Sequence, residues 1–402
     1  MKHYLELLRR EPVLRRLSMI QTIAYFAAWF SNVAIYTLLV QLDVNPGVIA
    51  LTAALHFLPG VVQAPFSGSL IDRYAPKRLM LSLMLTEIAA TLPLMLIDDS
   101  SSLWLLFVLV FVRMGASSFY FTLEMSLLPR ILGKESLKAA NEIHSVIWSF
   151  SYTVGMAVSG FVVYLVGVKV AFLLDALLFI VGVTLLWKLT LPSHQQSSGD
   201  GYWKLMRQSF AYLKEAPLIK HLILLHAFVG FTAFDALVAL MVDTYYVPAV
   251  ATALAIGLLH AFRALGLVSG PLLLGKWVNN RRLVLLLILQ GFAILLWAAA
   301  VEDFYLSLLA SIGVGLGTTT LWSYTYTLLQ QHTDAQYYGR VVAYNDMMFL
   351  LTVALVSLMV GFLAEAGFGI PFITALLGGA FIAGAFYMVW IMKRYDLKEV
   401  SA

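Results

Sequence analysis

The sequence predicts an all-α membrane protein: twelve transmembrane helices in two pseudo-symmetric six-helix halves, with both termini on one side. Three observations carry this. Twelve apolar stretches are each long enough for a bilayer, whose hydrocarbon of about 30 Å takes roughly 20 mostly apolar residues to cross. Hydrophobic residues make up 61% of the 402-residue chain and charged residues 12%, a balance foreign to a soluble domain of this length. The basic residues, finally, gather on alternate loops.

Along the chain the spans fall at 17–42, 47–70, 79–97, 103–128, 142–166, 169–190, 219–242, 251–275, 283–301, 304–330, 341–364 and 369–392. Ahead of the first, residues 1–14 are basic and amphipathic. They are expected to lie along the membrane surface with Leu5, Leu7 and Leu8 toward lipid. The first apolar run is too long for a signal-peptide core and is read as a retained helix. Residues 192–217 form the one long polar connector. It opens with Pro192, Ser193 and His194 and ends in an amphipathic run from Tyr202 to Glu215, with Trp203, Met206, Phe210 and Leu213 opposite Lys204, Arg207 and Lys214. The organisation is therefore a half at 1–191, a linker helix on the membrane surface, and a half at 218–402. Lys77-Arg78-Leu79 and Arg281-Arg282-Leu283 recur after the second and eighth spans, as two repeated halves require.

Of the 26 Lys and Arg, all but three sit on segments that share the N-terminal side; Arg113 and Arg263 fall inside spans and Lys169 on an opposite loop. The opposite turns carry Asp43, Asp98, Asp99, Asp243, Glu302, Asp303 and Glu365. Translocation disfavours Lys and Arg, so both termini are expected in the cytoplasm. The net charge of +4 reflects this topology and anionic inner-leaflet lipid, with no nucleic-acid partner implied. There is no cysteine, hence no disulfide framework and no thiolate metal site.

The sharpest local pattern follows the second span: Gly68, Leu70, Asp72, Arg73, then Lys77 and Arg78. It resembles the inner-loop signature of the major facilitator superfamily, with Ala75 where a Gly is usual and Pro76 where the first Arg is usual. In the second half Lys276 stands at the Asp position. Tyr338-Gly339-Arg340-Val341 and the passage Arg113, Leu128-Pro129, Leu137, Ala140-Asn141 are similar to the macrolide-efflux and enterobactin-exporter branch. The resemblance implies a transporter whose halves rock about a central site. Physically the signature is a cytoplasmic latch: Gly68 permits close helix approach, and Asp72 is expected at the amino end of helix 11 near Gly339 and Arg340, where the helix dipole favours an anion. Glu124 is expected to pair with Arg73 or Lys77. Without the latch, Arg73, Lys77 and Arg78 are only topology anchors.

Ionisable groups inside a membrane are costly and call for a partner or a role. Glu87 and Arg113 are each thirteen residues from the turn near Ser100, so both sit about 20 Å down. They are expected to pair, as a structural ion pair or as a coupling site; the resemblance implies that Arg113 corresponds to a helix 4 arginine linked to proton coupling. Asp235, His260 and Arg263 reach matching depths on helices 7 and 8, with His260 and Arg263 on one face. That cluster is suited to loading and releasing a proton. Asp175 is read as a scaffold acid, and Asp346, beside Asn345, as a gate residue or a substrate contact.

The resemblance further implies that helices 1, 4, 7 and 10 line the cavity. Tyr25, Trp29, Asn32, Tyr120, Phe231, Trp322, Tyr324 and Tyr326 are then candidate substrate contacts, although aromatics also fill helix packing. Few charges among many rings suit an amphipathic organic molecule. No nucleophile elbow, zinc helix or Walker loop is present, so the chain is read as no enzyme and as independent of bound cofactors, driven by a proton gradient. The expectation is a monomeric, multi-pass protein of the bacterial inner membrane that exports a drug- or siderophore-like molecule; the alternative is a lipid flippase or an importer of the same fold.

Overall fold

The computed structural model describes residues 2–132, 134–191, 211–247, 250–275, 277–334 and 337–397. Among them twelve helices are long and apolar enough to cross a membrane: α1 (Pro12–Gln41), α2 (Pro46–Ala64), α3 (Pro76–Leu96), α4 (Ser100–Leu128), α5 (Val146–Val166), α6 (Val168–Trp187), α7 (Pro217–Tyr246), α8 (Thr252–Leu274), α9 (Asn280–Ala300), α10 (Phe304–His332), α11 (Val341–Glu365) and α12 (Ile370–Tyr395). Along the chain, loops rich in Lys and Arg, here the basic face of each unit, alternate with acidic turns, here its acidic face. Most of the linker, 192–210, lies outside the described residues. Its end is held on the basic face, where Tyr212 stacks on Tyr337 at 4.2 Å and its hydroxyl accepts from the Asp334 amide.

Proline sets many of the boundaries. It opens α1, α2, α3, α7 and α12 within the first two positions, where its missing N–H is no loss. Inside spans it does the opposite. Pro59 breaks α2 at His56 and Phe57, whose amides turn back to Ala53 and Ala54 in tighter turns, and Pro93 converts the end of α3 to a 3₁₀ turn.

The N-terminal helix, Lys2–Arg10, departs from expectation. Leu7 is buried against Leu14, Leu128, Leu132 and Ile143, with Leu8 beside it; Leu5 alone of the three leucines is exposed. The leucines cover the ends of α1, α4 and the helix leading into α5, which removes more apolar surface from water than one face on lipid headgroups would.

Contacts group the chain into two units. The first comprises Met1–Val44, Val62–Ser198 and Ala251–Leu258; the second comprises Asn45–Val61, Gly199–Val250 and Leu259–Ala402. In the first, α1 packs against α5 and α6 and is buried without a break from Phe30 to Val40, while α3 packs against α4 and α6. Gly160 of α5 meets Gly257 of α8 here with room for no Cβ. In the second, α9 lies against α10 and α12, and Pro46–Leu55 of α2 lies against α11. Glu365 closes that contact by accepting the Gly47 amide, 3.1 Å away in the first turn of α2. The carboxylate thus meets the positive end of a helix.

Small residues let the helices of the second unit touch through their backbones. A Cβ on Gly315 of α10 would fall on the Arg263 carbonyl oxygen of α8, whereas one on Gly313 would meet nothing within 4 Å. Gly315→Ala is therefore expected to cost about 1–3 kcal/mol by overpacking and to lower the thermal unfolding midpoint in detergent. Gly313→Ala should leave the midpoint unchanged or raise it.

Candidate functional site

Arg113, in the middle of α4, is 0% exposed, so each of its donors must find an acceptor within the protein. Its Nη2 donates to Asp175 Oδ2 of α6 at 3.1 Å and to the Ala28 carbonyl of α1 at 3.0 Å. Its Nε donates to Thr91 Oγ1 of α3 at 3.1 Å and lies 3.3 Å from Glu87 Oε2. Ser31 of α1 donates to Asp175. Two acids and one base thus share a site where neither acid is more than 3% exposed. The expected Glu87–Arg113 pair is present, but the tighter hydrogen-bonded partner is Asp175. Its depth on a hairpin with no shared turn gave no sequence signal linking it to α4.

Glu124 is not where the latch would put it. It is 1% exposed and receives the Tyr25 hydroxyl at 3.2 Å. Lys77 donates instead to the Trp187 carbonyl at 2.7 Å, and Arg73 is exposed. The physical reason is helical phase: Arg113, Ser117, Tyr120 and Glu124 are spaced for one face of α4, which turns toward α1 and away from the loop. The surroundings of Gly68, Asp72, Gly339 and Arg340, and hence the latch, lie outside what is described; Arg78 is exposed.

The second unit carries a different device. α7 is discontinuous: an α-helix over Pro217–Ala227, a 3₁₀ turn over Phe228–Thr232, a break at Ala233 and Phe234, then a second α-helix from Asp235 to Met241. Gly230 sits in the turn, pressed on Thr352 of α11. Broken backbone at membrane depth needs its carbonyls satisfied by neighbours. Arg263 of α8 does this, donating from Nη2 to the Thr232 carbonyl at 3.2 Å and lying over the Phe234 ring at 4.8 Å. Asp235 starts the second helix, where an acid is favoured, and His260 Nε2 lies 3.7 Å from its Oδ1. The three predicted residues are brought together, with the Arg263 bond to backbone an addition that side-chain matching could not foresee.

With both sites in view, the likenesses to known proteins are informative. The sequence pattern of the Major Facilitator Superfamily matches residues 17–254, more than half of the chain. The chain belongs to this superfamily. Macrolide efflux protein A of Streptococcus pyogenes is 22% identical over 351 residues, covering 84% of each chain. The protein of the same name from Enterococcus faecalis is 23% identical, over 76% of this chain and 95% of its own. An uncharacterised MFS-type transporter of Bacillus subtilis, YfiS, is 26% identical over 53% of this chain and 52% of its own length, so the match spans about half of that relative. Among solved structures, the D-xylose–proton symporter superposes with a TM-score of 0.75 at 9% identity over 93% of this chain and 96% of its own. The nucleoside transporter NupG gives 0.71 at 12% identity over 95% and 99%. The fold is that of major facilitator transporters, which are not enzymes.

The candidate substrate residues of this superfamily member divide into groups. Trp29 stands edge-on to Trp148 and Tyr152, at 5.9 and 4.8 Å, with those two stacked on each other. Trp322 stacks on Tyr326 at 4.9 Å, and both rings abut His226 of α7. The Thr325 hydroxyl donates to the Leu321 carbonyl, so the 2.8 Å bond with His226 is donated by Nδ1–H. Phe231 stacks on Phe228, Tyr324 donates to Asn280, and Asn32 is buried. Tyr25 and Tyr120 are buried beside Glu124. Asn345, also buried, reaches Asp346 at 3.4 Å. His144 and His226 were not singled out by the sequence; each is buried within an aromatic group, His144 with Tyr25 and Phe121 and a bond from Gln21. Among the described residues no group of three or more His, Cys, Asp or Glu is placed to hold a metal ion.

Removing a buried cation strands its partners at a cost of about 3–5 kcal/mol. Arg113→Ala is expected to lose stability on that scale, and Asp175→Asn distinctly less, because the amide oxygen still accepts from Nη2. Thermal unfolding in detergent orders the two; an Arg113→Ala midpoint equal to the parent's would dismiss the triad as a structural knot.

Proposed function

We propose that this transporter exports an amphipathic organic molecule in exchange for protons, by alternating access in a bacterial inner membrane, as a monomer. The observation that carries the coupling is the charge count at Arg113: two carboxyl groups and one guanidinium, buried away from bulk solvent. With both acids ionised the cluster holds one uncompensated negative charge, a burden of several kcal/mol away from bulk solvent. One proton removes it. Glu87 is the acid to take that proton, since its contact with Arg113 is the looser one at 3.3 Å, whereas Asp175 receives both Arg113 and Ser31.

Export is supported by the likeness to macrolide efflux protein A over most of both chains. The substrate class is supported by the rings on α1, α5, α7 and α10, which offer apolar faces with few fixed charges. An inner-membrane location fits the basic and acidic faces.

The test is substrate-induced proton movement in proteoliposomes holding a pH dye, screened with dyes, macrolides, siderophores and lysolipids. One compound class should trigger proton movement, and Glu87→Gln should abolish the proton signal while retaining substrate-induced quenching of tryptophan fluorescence. Silence across the panel with folded protein would overturn the proton-coupled reading in favour of a carrier independent of protons, and movement of labelled lipid would name a flippase.

A further inference from the structure

A small cavity lies inside the first unit, lined by Ala24 and Tyr25 of α1, Glu87 of α3, and Ser117 and Tyr120 of α4, among others. We infer that it is a water site, and that the water joins Glu87 to Glu124 in a proton path leading toward the basic face. The inference rests on the proton-coupled reading of Glu87 and adds the route by which that proton leaves.

Four polar atoms make the case. Glu87 Oε1, the Tyr120 hydroxyl and Glu124 Oε1 are buried without a hydrogen-bond partner among the described residues, and Glu87 Oε2 has only the looser ion-pair contact with Arg113 at 3.3 Å. Buried polar groups are seldom left so, and an orphaned cluster around a cavity is the usual sign of a water that satisfies several at once. Glu87 and Tyr120 line this cavity directly. Tyr25 lines it too, and its hydroxyl donates to Glu124 Oε2. Tyr25 is therefore the only step between the cavity and Glu124 that the route needs.

The spacing on α4 fits a path and not a single site. Arg113, Ser117, Tyr120 and Glu124 occupy successive turns of one face, and eleven residues at 1.5 Å carry the line about 16 Å along the helix. The charged and titratable groups that face it are Arg113 itself, Asp175 from α6, Glu87 from α3, Tyr25 from α1 and His144 from the helix leading into α5, whose ring is 5.8 Å from that of Tyr25. Gln21, one turn below Tyr25 on α1, bonds His144, so the polar line continues beyond Glu124's level on α1.

The transfer balances without any other reactant. The O–H bond of the Glu87 carboxyl breaks as its proton joins the water oxygen. The water passes a different proton to the Tyr25 oxygen, whose own proton goes to the Glu124 carboxylate. Water and Tyr25 end neutral, Glu87 becomes a carboxylate and Glu124 a carboxylic acid.

Deuterium exchange of the Glu87 carboxyl, followed by infrared spectroscopy of the folded full-length protein, tests this without transport. The band is assigned by its loss in Glu87→Gln. Tyr25→Phe and Glu124→Gln are each expected to slow its exchange by about a hundredfold, the scale for losing one proton-transferring group; Tyr120→Phe, which removes only a partner of the water, should slow it less. Exchange at the parent rate in both Tyr25→Phe and Glu124→Gln would overturn the path. If one of them fails to fold, the other decides. A parent protein that shows no proton movement in proteoliposomes but slowed exchange in the variants would keep the path and discard the antiport. A parent with no Glu87 carboxylic-acid band in any buffer from acid to alkaline would discard both.

Discussion

A guanidinium buried at 0% exposure is the constraint around which the first unit is arranged. Arg113 reaches three other helices at once: α1 through the Ala28 carbonyl, α3 through Thr91 and Glu87, and α6 through Asp175. Each of these acceptors has to arrive within hydrogen-bond distance of a rigid, planar donor set. That fixes the rotation of four helices, which apolar contact alone sets only loosely, since lipid and side chains compete almost evenly for an apolar helix face. Well-packed apolar side chains of the same volume would be no less stable, but they would define that rotation less sharply. The arrangement thus supplies orientation and, under the proposed coupling, a group whose charge can change.

The second unit meets the same difficulty, a cation deep in a membrane segment, by another route. Arg263 faces backbone. Its partner carbonyl, Thr232, is free to accept because α7 is interrupted there, and the interruption is tolerable because the arginine is there. Each offsets part of the cost of the other. The break also sets Asp235 at the start of a fresh helix, where its charge meets a favourable dipole with His260 alongside. One unit stores its ionisable groups in a knot of side chains, the other at a helix break.

What the sequence could reveal followed from what is one-dimensional. Length and hydropathy are local, and they delivered the twelve spans. Depth along a hairpin is also local, so Glu87 met Arg113 as expected, and Asp235 met His260. Which way a helix turns its face is set by packing, and there the reading failed: Glu124 had the depth for Lys77 but the phase for Tyr25. Asp175 was read as a scaffold acid, but its bond to Arg113 was missed for the same reason, because no shared turn relates α6 to α4. The break in α7 had a faint signal in Gly230 and the β-branched Thr232, yet glycines are common in membrane helices. His144 and His226 left no signal beyond their presence.

The division between the knot at Arg113 and the cluster at Glu124 has a further consequence for α1. Ala28, Tyr25 and Gln21 are spaced three and four residues apart on it, on one face, and they touch Arg113, Glu124 and His144 in turn. A proton on Glu87 weakens its hold on the guanidinium and leaves Asp175 as the sole counter-charge, drawing Arg113 toward α6. A proton on Glu124 removes the charge that the Tyr25 hydroxyl now satisfies. The two changes act on opposite ends of one helix face, and α1 is at the same time the helix most tightly enclosed by α5 and α6. Close-packed helices do not deform smoothly under such a pull; they move between discrete packings. Under the proposed coupling, the position of α1 against α4 is the element through which a proton in the first unit would do mechanical work.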